Sequence, residues 1–232
     1  MKLLGIDTST KYLCLGMSKG ARVYSYNLEV ERKLSRLLTV MIQRTVEAAG
    51  LKLKALDYFA CGLGPGSFTG LRTGVAAIKG FSLALRKPVL GIPSLDIIAR
   101  NAGTSDRPIA VVVDAKRNLL YCGFFQNKEG RLKRMRPYML LSQEEFFKKV
   151  SAGSIILGDA VGLYREAMVR HIRGATLLDK DAWYPKPHQL VAQALERLKD
   201  KKFNNAFDIK PIYLYPKECQ IKNSSKFVAR SS

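Results

Sequence analysis

The sequence has no apolar run of the ~18 residues that a membrane-spanning helix needs. Met1-Lys2-Leu3-Leu4-Gly5-Ile6-Asp7 lacks the hydrophobic stretch and cleavage site of a signal peptide, so the expected location is the cytoplasm. Cysteine is sparse: Cys14, Cys61, Cys122 and Cys219 are scattered, with no C-x-x-C pair. That excludes a disulfide framework and predicts free thiols, buried where the flanking run is apolar, in a reducing compartment. His171 and His188 are the only histidines and neither sits in a ligand-spaced motif, so no metal site is expected and a solvated or capping role suits each. Nucleotide motifs are missing as well. No lysine follows Gly70, as G-x-x-x-x-G-K-[ST] would require, and G-x-G-x-x-G does not occur. Gly66-Ser67-Phe68 lacks the G-x-S-x-G frame and no histidine is ordered near it, which leaves serine hydrolysis without tools. Acidic residues are few, 19 against 39 Lys and Arg, for a formal charge of +20. Residues 1–104 carry 15 basic against 6 acidic side chains and residues 105–232 carry 24 against 13, so the excess is spread out. Such a surface attracts polyanions, RNA or an acidic protein, yet no Arg/Lys-rich run with interleaved aromatics marks a groove.

What is present is a concentration of small residues, Gly64-Pro65-Gly66-Ser67-Phe68-Thr69-Gly70-Leu71-Arg72-Thr73-Gly74. An apolar run, Asp57 to Leu63, leads in, and a small-residue helix pattern, Val75 to Leu85, leads out: strand, glycine turn, helix. Gly62, Gly64 and Gly66 allow positive φ or close backbone approach, and Ser67 or Thr69 predicts the helix start. Two readings follow. The glycines serve a tight turn, or the free N–H groups at the helix start hold an anion.

Other elements follow from periodicity. Residues 2–28 read as a three-stranded meander with a polar turn Asp7-Thr8-Ser9-Thr10 and a tight turn at Lys19-Gly20. Asp7 either hydrogen-bonds its own turn or holds phosphate. Residues 32–49 predict an amphipathic helix with Leu34, Leu37, Leu38, Met41, Ile42, Val46 and Ala49 on one face and Gly50 at its C-terminal cap. A second helix, about 69–86, carries a small stripe of Gly70, Gly74, Ala77, Gly80 and Ala84, which suits either burial or a helix–helix interface. After Val89-Leu90-Gly91, Ser94 predicts an N-cap for a helix to about Ala102, and the polar break Gly103–Pro108 sets a boundary between 1–104 and 105–232. Beyond it come strands at Ile109–Asp114, Leu119–Phe125 and Arg131–Leu140. A capping box, Ser142 with Glu145, opens a helix to Val150. A strand at Ser154–Leu157 and helices near 160–172 and 188–200 complete the pattern. The two halves repeat one order of elements, each with an acidic residue (Asp7, Asp114) after its first strand. That duplication predicts an α/β, actin/Hsp70-like fold of two subdomains, each a mixed sheet flanked by helices. The basic tail from Lys217 to Ser232 is expected to be disordered.

Gly64–Gly74, continuing through Ala76-Ala77-Ile78-Lys79-Gly80 to Pro88–Leu95, resembles the signature of the bacterial TsaB (YeaZ) family of the tRNA threonylcarbamoyladenosine system. Leu4–Thr10 and Pro211-Ile212-Tyr213-Leu214 fit the same family, and the match is dense over residues 1–96. The resemblance implies the duplicated actin-like fold. It also implies a non-catalytic subunit that pairs with a TsaD-like catalytic subunit through the N-terminal helices. A TsaE-like ATPase joins, and the assembly transfers threonylcarbamoyl to an adenosine next to the anticodon of tRNA. On this reading Leu34, Leu37, Leu38, Met41, Gly70, Arg72, Thr73, Gly74, Ala77 and Phe81 form the partner interface, and self-association as a homodimer is expected too. No cofactor is expected on this chain; ATP and a metal are expected on the partner subunits. The metal-binding H-x-x-x-H of the related TsaD falls on Ser94 and Ile98, and isoleucine cannot ligate a metal. Departures from the family pattern are Leu34-Ser35, where a histidine often precedes the serine, and Lys116 within Asp114-Ala115-Lys116-Arg117. The alternatives are an ATP-binding, sugar-kinase-like enzyme using Asp7, Thr8, Ser9, Thr10, Gly64, Gly66, Ser67 and Asp114 for nucleotide, and a free nucleic-acid binder driven by charge alone.

Overall fold

The computed structural model describes residues 1–30, 33–201 and 203–215. The basic tail, with Cys219, lies outside the described residues, as does Arg32. Two five-strand paths share one topology. In the first, β1 (Lys2–Asp7), β2 (Tyr12–Lys19), β3 (Arg22–Glu29), β4 (Tyr58–Gly62) and β5 (Val89–Ile92) stand in the order β3-β2-β1-β4-β5, with helices α1 (Leu34–Ala48) and α2 (Phe68–Leu85). β1 and β2 pair antiparallel, whereas β1, β4 and β5 run parallel. In the second, β6 (Ile109–Lys116), β7 (Leu119–Lys128), β8 (Arg131–Arg134), β10 (Ile155–Leu157) and β11 (Thr176–Leu177) stand in the order β8-β7-β6-β10-β11. Here β9 (Met139–Ser142) adds to β7, with α4 (Gln143–Lys149) and α5 (Ala160–His171) as the helices. The same strand order twice, with the same crossover positions, is the expected duplicated actin/Hsp70-like α/β fold.

The strands read as near-continuous apolar runs because both faces are covered. Leu4, Ile6, Leu13, Leu15, Phe59 and Cys61 point into a core shared with Leu38, Ile42 and Val46 of α1 and Val75 and Ile78 of α2. Their alternates, Leu3, Cys14, Ala60 and Leu90, form a second core on the opposite face. What covers that face is α6 (Pro187–Lys199), through Leu190, Val191 and Ala194. The two sheets fall on either side of residue 104, and the chain then returns from the second to lay its last helix on the first. Between the sheets, α3 (Ser94–Ala99) sends Leu95 and Ile98 into a core with Val111, Val113 and Phe125. Each fully buried aliphatic side chain contributes about 1.5–3 kcal/mol.

Local chemistry matches most boundaries. Ser67 caps α2, its hydroxyl accepting from Gly70 N at 3.2 Å. Ser142 and Glu145 form the capping box of α4. Gly50, with φ of 66°, follows α1. Two expectations change. The strand expected over Arg131–Leu140 is broken: β8 ends at Arg134, Met135 N donates to Phe124 O (2.8 Å), and the chain crosses through Pro137 before β9 begins. Ser94 does not cap α3; it is the first residue of that helix, behind Pro93.

The small stripe of α2 has two sides. Gly70 and Gly74 face the end of β1, and a side chain at either would run into Thr8, at its carbonyl and its hydroxyl respectively. Gly80 has nothing within 4 Å of where a Cβ would stand. Gly70→Ala is expected to destabilise the fold by about 1–3 kcal/mol, because backbone cannot move aside. Gly80→Ala should stabilise it by up to about 1 kcal/mol through helix propensity. Thermal unfolding of both variants checks this; equal and same-signed shifts would contradict it.

Candidate functional site

Where β1 ends, three segments are sewn together. Asp7 is 1% exposed, and Thr8 and Ser9 are buried beside it. Asp7 Oδ1 accepts from Ser9 N (2.8 Å) and Oδ2 from Ser94 Oγ (2.5 Å). Ser94 Oγ in turn accepts from Gly64 N (2.9 Å), and Ser94 N donates to Gly64 O (2.8 Å). Thr8 Oγ1 donates to Gly70 O (2.8 Å), and Ser67 N donates to Ser9 O (2.7 Å). Glycine is required for this approach: a side chain at Gly62 would meet the Asp7 carboxylate, and one at Gly66 the Ser9 carbonyl. Burial raises the Asp7 carboxyl above the ordinary value of 3.8, against the lowering effect of its hydrogen bonds to Ser9 and Ser94.

This geometry divides the candidate nucleotide residues. Asp7, Thr8 and the Ser9 backbone are used by the fold, Asp7 hydrogen-bonding its own turn, and Gly64 and Gly66 face them, while Ser9 Oγ is buried without a hydrogen-bond partner among the described residues. Thr10 Oγ1 accepts from Tyr12 N at 3.2 Å. Only Gly66, Ser67 and Asp114 come together around open space, in a cleft of ≈ 570 Å³ between the start of α2 and the β6–β7 turn. Asp114 Oδ2 is ion-paired with Lys116 Nζ at 2.6 Å, while its own N–H donates to the Asp159 carboxylate (2.8 Å), which burial raises in pKa.

Phe68, Tyr121, Tyr213 and Tyr215 make an aromatic part of the cleft wall, and sequence reasoning does not find it. Tyr213 and Tyr215 arrive from the far end of the chain. Tyr213 meets Phe68 at 5.3 Å between ring centroids and accepts from Arg72 Nε at 3.2 Å, and the Arg72 guanidinium lies 3.8 Å from the Phe68 ring centroid. Tyr215 donates to Ala115 O (2.8 Å) and meets Tyr121 edge-on, 6.2 Å between centroids. Burial pushes the Tyr121 hydroxyl up to about 12. The alternating tyrosines of 211–215 are the one sequence signal that bears on this wall.

The expected partner-interface residues are also divided. Leu38 is 2% exposed and Leu34 is buried; both belong to the chain's own core, as do Gly70 and Gly74 against Thr8. These four cannot present a docking surface. Leu37, Met41, Thr73, Ala77 and Phe81 are half-buried and Arg72 is exposed. Beside them lie the exposed Val40 (44%) and Leu83 (45%), which sequence reasoning misses, together with Ala76, Gly80 and Ala84.

Metal-ligating side chains are dispersed. Among the described residues no group of three or more His, Cys, Asp or Glu could hold a metal ion. Ile98 is buried and apolar, and Ser94 is bound to Asp7. His171 places Nδ1 2.8 Å from Ala167 O and stacks on Phe147. Cys14, Cys61 and Cys122 are buried free thiols whose pKa burial raises. No helix of the described residues is long and apolar enough to cross a membrane.

Known proteins resemble this chain in sequence and fold. A family model described as "TsaD: tRNA N6-adenosine threonylcarbamoyltransferase" matches residues 28–156. The tRNA threonylcarbamoyladenosine biosynthesis protein TsaB of Bacillus subtilis is 26% identical, with 96% of this chain and 97% of that one aligned. Its counterpart in Buchnera aphidicola is 29% identical over 68% of this chain and 78% of its own length. The solved structure of YeaZ from Pseudomonas aeruginosa superposes with a TM-score of 0.80 at 27% identity, covering 92% of this chain and 99% of that one. With the sewn glycine turn and the duplicated topology, these matches make the chain a member of the TsaD-related threonylcarbamoyltransferase family and, within it, of the TsaB/YeaZ group.

Proposed function

We propose that the chain acts in threonylcarbamoyladenosine formation on tRNA as a non-catalytic subunit, in the cytoplasm, docking a TsaD-like catalytic subunit through α1 and α2. The observation that carries this reading is the outward face of α2, where helical spacing brings exposed Ala76, Gly80, Leu83 and Ala84 to one side, an apolar surface with small residues on which a second helix can lie close. A TsaE-like ATPase joins the assembly, and ATP and the metal belong to the partners. In the absence of the catalytic subunit the same strip pairs two copies of this chain. The sealed loop supports the non-catalytic role: the acidic residue after the first strand is buried under Ser9 and Ser94 and has no path to a phosphate or metal. Among the described residues no ligand cluster surrounds Ser94 and Ile98, which is consistent with it.

Two measurements test the reading. Copurification with a TsaD-like subunit should succeed for the wild type, and Leu83→Glu combined with Gly80→Gln should abolish it while leaving the melting temperature within a few degrees. Retained pairing in that variant would place the interface elsewhere. The second concerns Asp7. Its pKa is raised in the fold, so the folded chain holds the proton to higher pH than the unfolded one. The stability of the protonated form is complete below the ordinary carboxyl value and is lost as pH rises through the raised one. Each pH unit between the two corresponds to about 1.4 kcal/mol. Asp7→Asn should therefore remove a fall in stability that sets in as pH rises above the ordinary carboxyl range and leave pairing intact. ATP turnover by the isolated wild-type chain that this substitution abolishes would instead establish the kinase-like alternative.

A further inference from the structure

We infer that the furrow between the two sheets, running from Arg134 past Leu214 to Arg72, receives an unpaired strand of the tRNA substrate. This inference rests on the functional reading above and adds to it a direct RNA contact by this chain. Two cavities flank Leu214. One, of ≈ 570 Å³, is the aromatic cleft at the glycine turn; the other, of ≈ 530 Å³, lies against Arg134–Tyr138. Arginine–aromatic stacks stand along both. The guanidinium of Arg72 is 3.8 Å from the ring centroid of Phe68, that of Arg134 is 4.3 Å from Tyr138, and that of Arg136 is 5.5 Å from Phe124. Arg117 projects from the exposed β6–β7 turn at the cleft rim.

The furrow is cationic, with the buried Asp96 near Arg134 as a partial counter-charge. Among the described residues none of Arg72, Arg117, Arg134 and Arg136 takes part in an ion pair. The nearby carboxylates are already engaged: Asp114 by Lys116 Nζ, and Asp96, largely buried, by the Tyr138 hydroxyl. Exposed arginines beside the accessible rings of Phe68, Tyr138 and Tyr213 offer both things a single strand needs, cations for phosphates and flat faces on which splayed bases stack, whereas Phe124 is buried in the core. A duplex, whose bases are stacked inside, has no use for the rings. The chain's own C-terminal sequence does not suit the furrow, because the residues after Tyr215 carry Lys217, Lys222, Lys226 and Arg230 against Glu218 alone. Like charge would be added, not neutralised.

The experiment is fluorescence anisotropy of the full chain with a fluorescein-labelled anticodon stem-loop RNA across a series of salt concentrations. A triple variant, Arg117→Gln with Arg134→Gln and Arg136→Gln, is compared with a control triple at exposed positions away from the furrow, Arg170→Gln with Arg173→Gln and Lys199→Gln. The furrow triple should weaken binding about tenfold or more and flatten the log–log salt dependence by about 0.7 per lost phosphate contact. The control triple should change affinity less than about threefold. Phe68→Leu should weaken binding with the salt slope unchanged, since it removes a stacking face and no charge. Equal losses in the two triples, or equal affinity for a fully paired RNA of the same length, would overturn the inference. So would a furrow triple that binds RNA normally but no longer pairs with the catalytic subunit, which would make the furrow a protein contact. Pairing that fails while furrow-dependent RNA binding persists counts against the docking strip alone.

Discussion

The short chain of hydrogen bonds from Gly64 through Ser94 to Asp7 is the constraint on which the structure turns. It ties the end of the first strand, the glycine turn and the start of α3 into one knot. The glycines of the turn are needed because carbonyls and side chains of the opposing loop already occupy the space a Cβ would take. Burying a carboxyl in this way costs free energy, partly offset by its hydrogen bonds to Ser9 and Ser94. What the knot secures is the position of α2, since Thr8 grips Gly70 O at the first turn of that helix.

The two halves use one plan and finish it differently. At the end of β1 the acidic residue is enclosed; near the end of β6 the corresponding Asp114 is only partly buried, paired with Lys116 and backed by Asp159. The second half has no glycine run to cover its loop, so the space between the sheets opens there and is lined by residues from the chain's far end. The fold thus separates two surfaces. One is the outward strip on α2, apolar and small. The other is the furrow, cationic and aromatic, lying between the sheets.

Much of the fold was legible in the sequence because it is written locally. Periodicity gave the helices, Ser142 with Glu145 gave a cap, and the repeated order of elements gave the duplication. The site was legible only in part. The small stripe of α2 carries no mark telling which glycines face inward, because Gly70 and Gly80 differ only in what stands opposite them. Leu34 and Leu38 look like Leu37 on a helical wheel, and only the neighbouring strand decides that the first two are core. The aromatic–arginine stacks were invisible for a different reason. Phe68 and Arg72, like Arg134 and Tyr138, stand four residues apart, but nothing local links these pairs to each other or to Tyr213 and Tyr215, since the three separate stretches meet only in the folded chain.

The return of α6 to the first sheet governs how the molecule can be made. A ribosome delivers Leu3, Cys14, Ala60 and Leu90 long before Leu190, Val191 and Ala194, so one side of the earliest sheet stays wet through most of translation. Nascent chains stopped anywhere before the last helix present a sticky, half-clad layer, and the N-terminal lobe reaches its mature form only when nearly the whole polypeptide has emerged.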